Sequence, residues 1–252
     1  MEKLEVLQHT RWGDVFYHSP IRLAGKPHRG GVPLLFPQFA SAGPLRKHGF
    51  ARDTAFEVVH QRVEGNCVDA LYTLQVQPQD WPGWPHAAKL AWHIAANAQL
   101  LTLSFAVSNT GGDAFEWTGG LHPYFRVANL AQVCIHGLGN LPMRDKFTGD
   151  GVEPCEPLNA WRGQEFERHY LAPANIQIVD AQAGTSFALS ATGFDEWMVW
   201  NPGQALANTL PDLPPGDWSR FVCVEPIACE RPVRLQVGEQ FTGALHVRVS
   251  GV

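Results

Sequence analysis

Along this chain apolar and polar positions alternate far more often than they follow a helical period. In "LLTLSFAV", Leu101, Leu103, Phe105 and Val107 fall on one face, with Thr102 and Ser104 on the other. That period of two is the mark of a strand with one buried face. "ALYTLQV", "NIQIVD", "SFALSA", "EWMVW" and "GALHVRV" predict further short strands. The stretches between them, such as "QPQDWPGWP", "SNTGGDA" and "WNPGQ", are rich in Gly, Pro, Asn and Asp, which supply the dihedral angles of turns. Helical spacing is confined to a short stretch from Gln204 to Leu210, which Pro211 ends. The segment from Pro211 to Pro215 reads as a surface loop, and no internal repeat or low-complexity tail is seen. An all-β protein of many strands follows, either a large sandwich or a barrel, with one domain expected over residues 1–252.

Composition narrows the class. Of the 252 residues, 45% are hydrophobic and only 17% charged, which suits a large packed core and excludes disorder. Nine Trp and fourteen Phe offer flat apolar walls as well as core volume. The formal charge of -5 gives the chain no overall attraction for nucleic acid or anionic membranes. The first twenty residues lack a basic region followed by an apolar run, so no secretory signal is expected. No stretch reaches the roughly 18 apolar residues of a membrane helix. Cys67, Cys134, Cys155, Cys223 and Cys229 are an odd, scattered set without a CxxC pair, which predicts free thiols and a cytoplasmic location.

One window departs from the acidic average. Between Asp14 and Asp53 there is no carboxylate side chain, yet six of the nineteen Lys and Arg residues lie there, with His18, His28 and His48. "RGGVPLLFPQF" sets Arg29 before two glycines and a proline, and "LRKHGFARD" sets Lys47, His48 and Arg52 around Gly49. The cluster is either a solvated surface or a local anion site. Two guanidinium groups on stiff loops suit a phosphate dianion, because each planar fork can hold two oxygens. The interleaved Phe36, Phe39 and Phe50 do not suit a long nucleic-acid track. Neither GxxxxGK[ST] nor GxGxxG occurs in the window, so nucleotide binding is not expected.

Two ionisable residues stand in unusually apolar surroundings. His122 lies within "TGGLHPYFRV", and Glu225 closes the run Phe221-Val222-Cys223-Val224. A core histidine bonded to a carbonyl, and a strand-end carboxylate capping a turn, would each account for one of them. Together they also make an acid–base couple, since imidazole titrates near neutrality and a carboxylate accepts protons well. A GxSxG elbow and HExxH or HxH clusters are absent, which leaves serine-hydrolase and zinc chemistry unsupported. A glycoside hydrolase would need two carboxylates across the scissile bond, for which Glu225 and Asp145 are the candidates.

The blocks "HRGGVPLLFPQF", "KHGFARDTAFEV", "GGLHPYFRVANL", "LPMRDKFTG", "MVWNP" and "FVCVEP" resemble, in order and rough spacing, those of the hexose-6-phosphate epimerases. These form a branch of the aldose 1-epimerase (galactose mutarotase-like) superfamily. The resemblance implies a large antiparallel β-sandwich with the sugar in a cleft across one sheet. It implies His122 and Glu225 as the catalytic pair, Arg29 and Arg52 as phosphate ligands, and Asp145 as a contact to sugar hydroxyls. Lys47 and His48 join the substrate-binding set through the same block, although Lys47 stands where related chains commonly have glutamine. The loop after Glu225, "PIACERP", also departs from the family pattern. The implied activity interconverts the α and β anomers of an aldohexose 6-phosphate, glucose 6-phosphate foremost. Alternatives are a mutarotase of unphosphorylated aldoses and a non-catalytic sugar-phosphate binder. The expected partner is a small phosphosugar, with no cofactor or metal, and the chain is expected to be a monomer.

Overall fold

The alternating segments become strands of two antiparallel sheets in the computed structural model, which describes residues 8–9, 13–159 and 161–252. The first sheet runs in the order Val133–His136, Ile176–Asp180, Thr185–Thr192, Gln240–Gly251, Leu100–Asn109, Ala88–Ala96, Cys67–Val76, Glu57–Glu64. The second runs Gly149–Val152, Pro142–Asp145, Phe166–Tyr170, Glu196–Asn201, Phe221–Leu235, Phe115–Leu121, Leu34–Leu35, and Tyr124–Arg126 also pairs with Phe221–Leu235. This is the antiparallel sandwich that the family resemblance implies, one of the two architectures the alternation leaves open.

Leu101, Leu103, Phe105 and Val107 are all buried, while Thr102 and Ser104 stay half-exposed on the outer face of the first sheet. The second sheet meets them with Trp117, Trp197, Val199, Val222 and Val224, and these residues share one core cluster. Each such aliphatic side chain contributes about 1.5–3 kcal/mol by leaving water.

The other face of the second sheet is not left to solvent. Phe221 and Cys223 join Tyr17, Tyr124, Ala207 and Leu213 in a second apolar cluster. Leu35, Phe39, Met198 and Ile227 form a third. Loops therefore cover this face and enclose a cleft above it. The helical stretch is short, Gly203–Ala207, and helps to make that cover. The segment from Pro211 to Pro215 is more than a surface loop. Leu213 is buried and Asp212 bonds Arg29 across the cleft. All five cysteines are free. Among the described residues no helix is long and apolar enough to cross a membrane.

Candidate active site

Strand alternation aims Glu225 into the cleft. On Phe221–Leu235, Val222 and Val224 face the core, so Phe221, Cys223 and Glu225 face the opposite way. Glu225 stands beside Met198 in the ladder and Cys223 beside Trp200, which puts Met198 and Trp200 on the cleft face as well. Glu225 is only 1% exposed.

His122 sits between two strand pairings. Leu121 pairs with Leu34, and Tyr124 pairs with Cys223. The His122 amide itself donates to the Pro33 carbonyl at 3.0 Å. Its ring stacks on Tyr124, with centroids 4.8 Å apart and planes 14° from parallel, and meets Trp200 and His48 edge-on. The imidazole is thus held from both sides, and its Nε2 comes within 3.4 Å of Glu225 Oε1. His122 Nδ1 and Glu225 Oε2 are buried without a hydrogen-bond partner. Buried polar atoms are normally bonded, so both are atoms that a polar ligand would satisfy.

Burial acts on both groups in opposite senses. It holds the imidazole well below its ordinary range, helped by nearby His48 and Arg52. It pushes the Glu225 carboxyl well up, with the Glu167 carboxylate adding to the effect and the Lys47 ammonium opposing it. A dry site disfavours net charge, so the pair is most stable carrying one proton in all, whichever partner holds it.

The basic window closes the cleft from above. Arg29 Nε donates to Asp212 Oδ1 at 3.0 Å, and its Nη1 lies 3.4 Å from the Tyr124 hydroxyl. Arg52 Nη2 donates to the Lys47 carbonyl at 3.1 Å, while its buried Nε has no hydrogen-bond partner. Glycine makes this approach possible. A Cβ at Gly30 would come within 2.2 Å of the Tyr17 carbonyl oxygen, and one at Gly49 within 2.1 Å of that of Phe36. Both glycines also have positive φ, which other residues adopt at a cost. His48, at φ 67, is one residue that does so. Its Nδ1 accepts from the Ala40 amide at 3.2 Å, which leaves Nε2–H as the donor. Burial, with Arg52 and Lys47 beside it, lowers its pKa to about 3, so it is a neutral donor at any ordinary pH.

A cavity of about 340 Å³ joins these groups: Arg29, Lys47, His48, Arg52, His122 and Glu225 all line it. A second cavity of about 300 Å³ adjoins it and shares Arg29, Arg52 and Tyr124, with Lys26 and His28 on its far side. The two arginines therefore stand on the boundary between the cavities.

Asp145 is the predicted site residue that the structure does not bring there. Its ladder partner Arg168 shares a face with the core residues Phe166 and Tyr170, so Asp145 points to the core side of the sheet. Its oxygens accept from Arg168 Nε at 2.7 Å and from the amides of Phe147 and Thr148. The next residue, Lys146, lies on the cleft side and bonds Glu167 at 3.0 Å. Glu167 does line the cavity. It went unread in the sequence because "FERHY" shows no motif, although a carboxylate one position off the core face was the available signal. Asp212 and Met198 were likewise unread. Tyr124 forms a cleft wall, whereas Phe125 packs in the core against Phe16 and Phe187. Trp200 lines the cavity. Asn201 instead ties the adjoining turn, donating to the carbonyls of Trp218 and Phe221 and accepting from Gly203.

The donor atoms of His122, Cys223 and Glu225 lie within 4.8 Å of one another. Burial raises the Cys223 thiol well above its usual range, so with no cation bound the sulfur keeps its proton and the His122–Glu225 pair is left for proton transfer.

Comparison with known proteins places the chain in a family. The sequence model of the aldose 1-epimerase family matches residues 9–248. A protein of Cenchrus ciliaris, "Putative glucose-6-phosphate 1-epimerase", is 30% identical in an alignment 235 residues long that covers 87% of this chain and 70% of that protein. One of the same name from Escherichia coli (strain K12) is 30% identical in an alignment 210 residues long that covers 78% of this chain and 66% of its own length. The crystal structure of "a putative mutarotase (YeaD)" from Salmonella typhimurium superposes with a TM-score of 0.87 at 26% identity. That match covers 96% of this chain and 82% of the other.

Proposed function

The chain belongs to the aldose 1-epimerase family, and from that premise we propose that it interconverts the α and β anomers of an aldohexose 6-phosphate, glucose 6-phosphate foremost. The observation that carries the reading is a buried His122–Glu225 pair at 3.4 Å in one cavity with Arg29 and Arg52.

Ring opening removes a proton from the hydroxyl on C1 and delivers one to the ring oxygen. Glu225, as carboxylate, takes the first; His122, as imidazolium, supplies the second. The single proton of the pair reaches that arrangement by passing from carboxyl to imidazole. A sugar hydroxyl and the ring oxygen bonded to Glu225 Oε2 and to the imidazole would relieve the polar atoms that lack partners. The open aldehyde turns about its C1–C2 bond and recloses with the roles exchanged. Every step conserves protons and needs no covalent intermediate. Each group of this kind contributes typically 10²–10⁴-fold. Tyr124 and Trp200 form the walls that hold the ring, and His48 donates from Nε2–H to a sugar oxygen.

The phosphate is assigned to Arg29 and Arg52. Both residues line both cavities, and Arg52 Nε makes no hydrogen bond, with only the Asp53 carboxylate 4.0 Å away, so it can donate to an anion. Lys47 adds a third cation where relatives commonly have glutamine. Asp145 acts at one remove, by ordering Arg168 behind the sheet.

Exchange-spectroscopy NMR on equilibrated glucose 6-phosphate tests the reading through cross-peaks between its two anomeric protons. Protein-dependent exchange that is strong with glucose 6-phosphate and weak with glucose is the expected result. Equal exchange of both sugars would favour a mutarotase of free aldoses, and exchange at the buffer rate for all of them would leave only a sugar-phosphate binder.

A further inference from the structure

The outer face of the first sheet, which does not carry the cleft, holds a second group of chemistry-bearing residues. His60 lies on the edge strand Glu57–Glu64, Asp69 on Cys67–Val76 and His93 on Ala88–Ala96. Leu71 stands opposite both His60 and His93 in the ladder. Asp69, two residues from Leu71, shares its face. Ala70 and Tyr72, on the opposite face, belong to the core, so the three side chains project towards solvent.

Their donor atoms converge. Nε2 of His93 lies 2.7 Å and Nε2 of His60 3.2 Å from the same oxygen, Asp69 Oδ1. All three donor atoms fall within 4.8 Å of one another. From these positions we infer that His60, Asp69 and His93 form a binding site for a divalent transition cation, Zn²⁺ in the first instance.

The donor chemistry matches that class. Two imidazoles and a carboxylate suit zinc and its neighbours, whereas Mg²⁺ and Ca²⁺ require oxygen ligands. Zinc bonds of 2.0–2.2 Å in tetrahedral array imply ligand separations of about 3.3 Å. The separations from Asp69 Oδ1 are 2.7 and 3.2 Å, so the tighter contact would have to open by about 0.6 Å to match, a movement that partly exposed side chains can make. To bind the cation each imidazole would present the Nε2 lone pair and carry its hydrogen on Nδ1, so that the ion takes the place of the two Nε2 contacts to Asp69 Oδ1. Three protein ligands leave the remaining position to water. The side chains are between a third and a half exposed, so the ion has direct access. Its consequence is mechanical: it ties the edge strand to its two neighbours. That strand exposes Val58, Val59 and Val63 and is otherwise held on one side only.

The test is isothermal titration of the full chain with ZnCl₂, in a Cys67→Ser background. Cys67 is an exposed thiol two residues from Asp69 on the same face and must not contribute. One zinc per chain is expected, with at least tenfold weaker binding in His60→Ala, Asp69→Ala and His93→Ala. Their side chains lie outside the core, so these variants should fold; a circular dichroism melt checks this. MgCl₂ should give no heat of binding. NMR should show the ring protons of His60 and His93 shifting together as zinc is added. The inference is overturned if zinc does not bind, if it binds equally to the three variants, or if binding is lost in His122→Ala instead.

Discussion

Replacing Glu225 by glutamine isolates the proton-accepting role from everything else the side chain does. The two side chains match in shape, and at 1% exposure the site tolerates little else. The amide cannot take a proton, so the contribution of a general base, typically 10²–10⁴-fold, should vanish from kcat. At 1.36 kcal/mol per tenfold, the barrier rises by about 2.7–5.4 kcal/mol. Stability should move much less. Glutamine keeps a polar group in a site where Oε2 already lacks a partner, so any new unsatisfied atom costs at most about 1–3 kcal/mol. Removal of an ionisable group from a desolvated position offsets part of that. Exchange-spectroscopy NMR on glucose 6-phosphate measures the rate, and a thermal melt run alongside checks the fold. His122→Asn should cost a similar factor. The double variant should lose far less than the product of the two, because partners in one proton transfer act as a unit. An exchange rate within about threefold of the parent in Glu225→Gln, with an unchanged melt, would falsify the assignment of Glu225 as base.

Other outcomes follow from the same geometry. Arg52→Ala should raise KM for glucose 6-phosphate at least tenfold while leaving any exchange of glucose nearly unchanged; equal loss on both sugars would remove Arg52 from phosphate binding. The pH profile of kcat/KM should be bell-shaped. Activity falls in acid as the pair takes up a second proton, and in alkali as it loses the one it has. Lys47 favours the ionised Glu225, so Lys47→Gln should move the alkaline limb to higher pH; a limb that stays or moves down contradicts the assignment. Arg168→Met removes the guanidinium that bonds the carboxylates of Asp145 and Glu153 at 2.7 Å each and leaves them only neutral donors. Stripping one partner from such a buried set costs about 3–5 kcal/mol, read as a lower denaturant midpoint. Gly49→Ala should cost about 1–3 kcal/mol from the left-handed backbone alone, before the clash with the Phe36 carbonyl is counted.

Much of the architecture was legible in the chain because strand periodicity is a property of neighbours. Leu101 to Val107 declare their buried face through alternation, and that face is buried whichever strands they meet. The same holds for Gly30 and Gly49, whose motifs signal close backbone approach, and for Glu225, whose apolar run marks it as out of place. The short helix was legible too, although it runs Gly203–Ala207 and ends ahead of Pro211.

What the chain could not declare is which distant faces meet. His122 and Glu225 approach within 3.4 Å only because Tyr124 pairs with Cys223, a register set by the whole sheet. Asp145 and Lys146 are adjacent, yet strand alternation sends one to the core side and the other to the cleft. Glu167 enters the cleft, and Asp212 meets Arg29, through contacts with no local signature. His60, Asp69 and His93 come from three strands and have no ligand spacing along the chain. Local preference acts over a few residues and sets which way a side chain faces. Register acts across the sheet, and through the packing it satisfies it decides which side chains share a site.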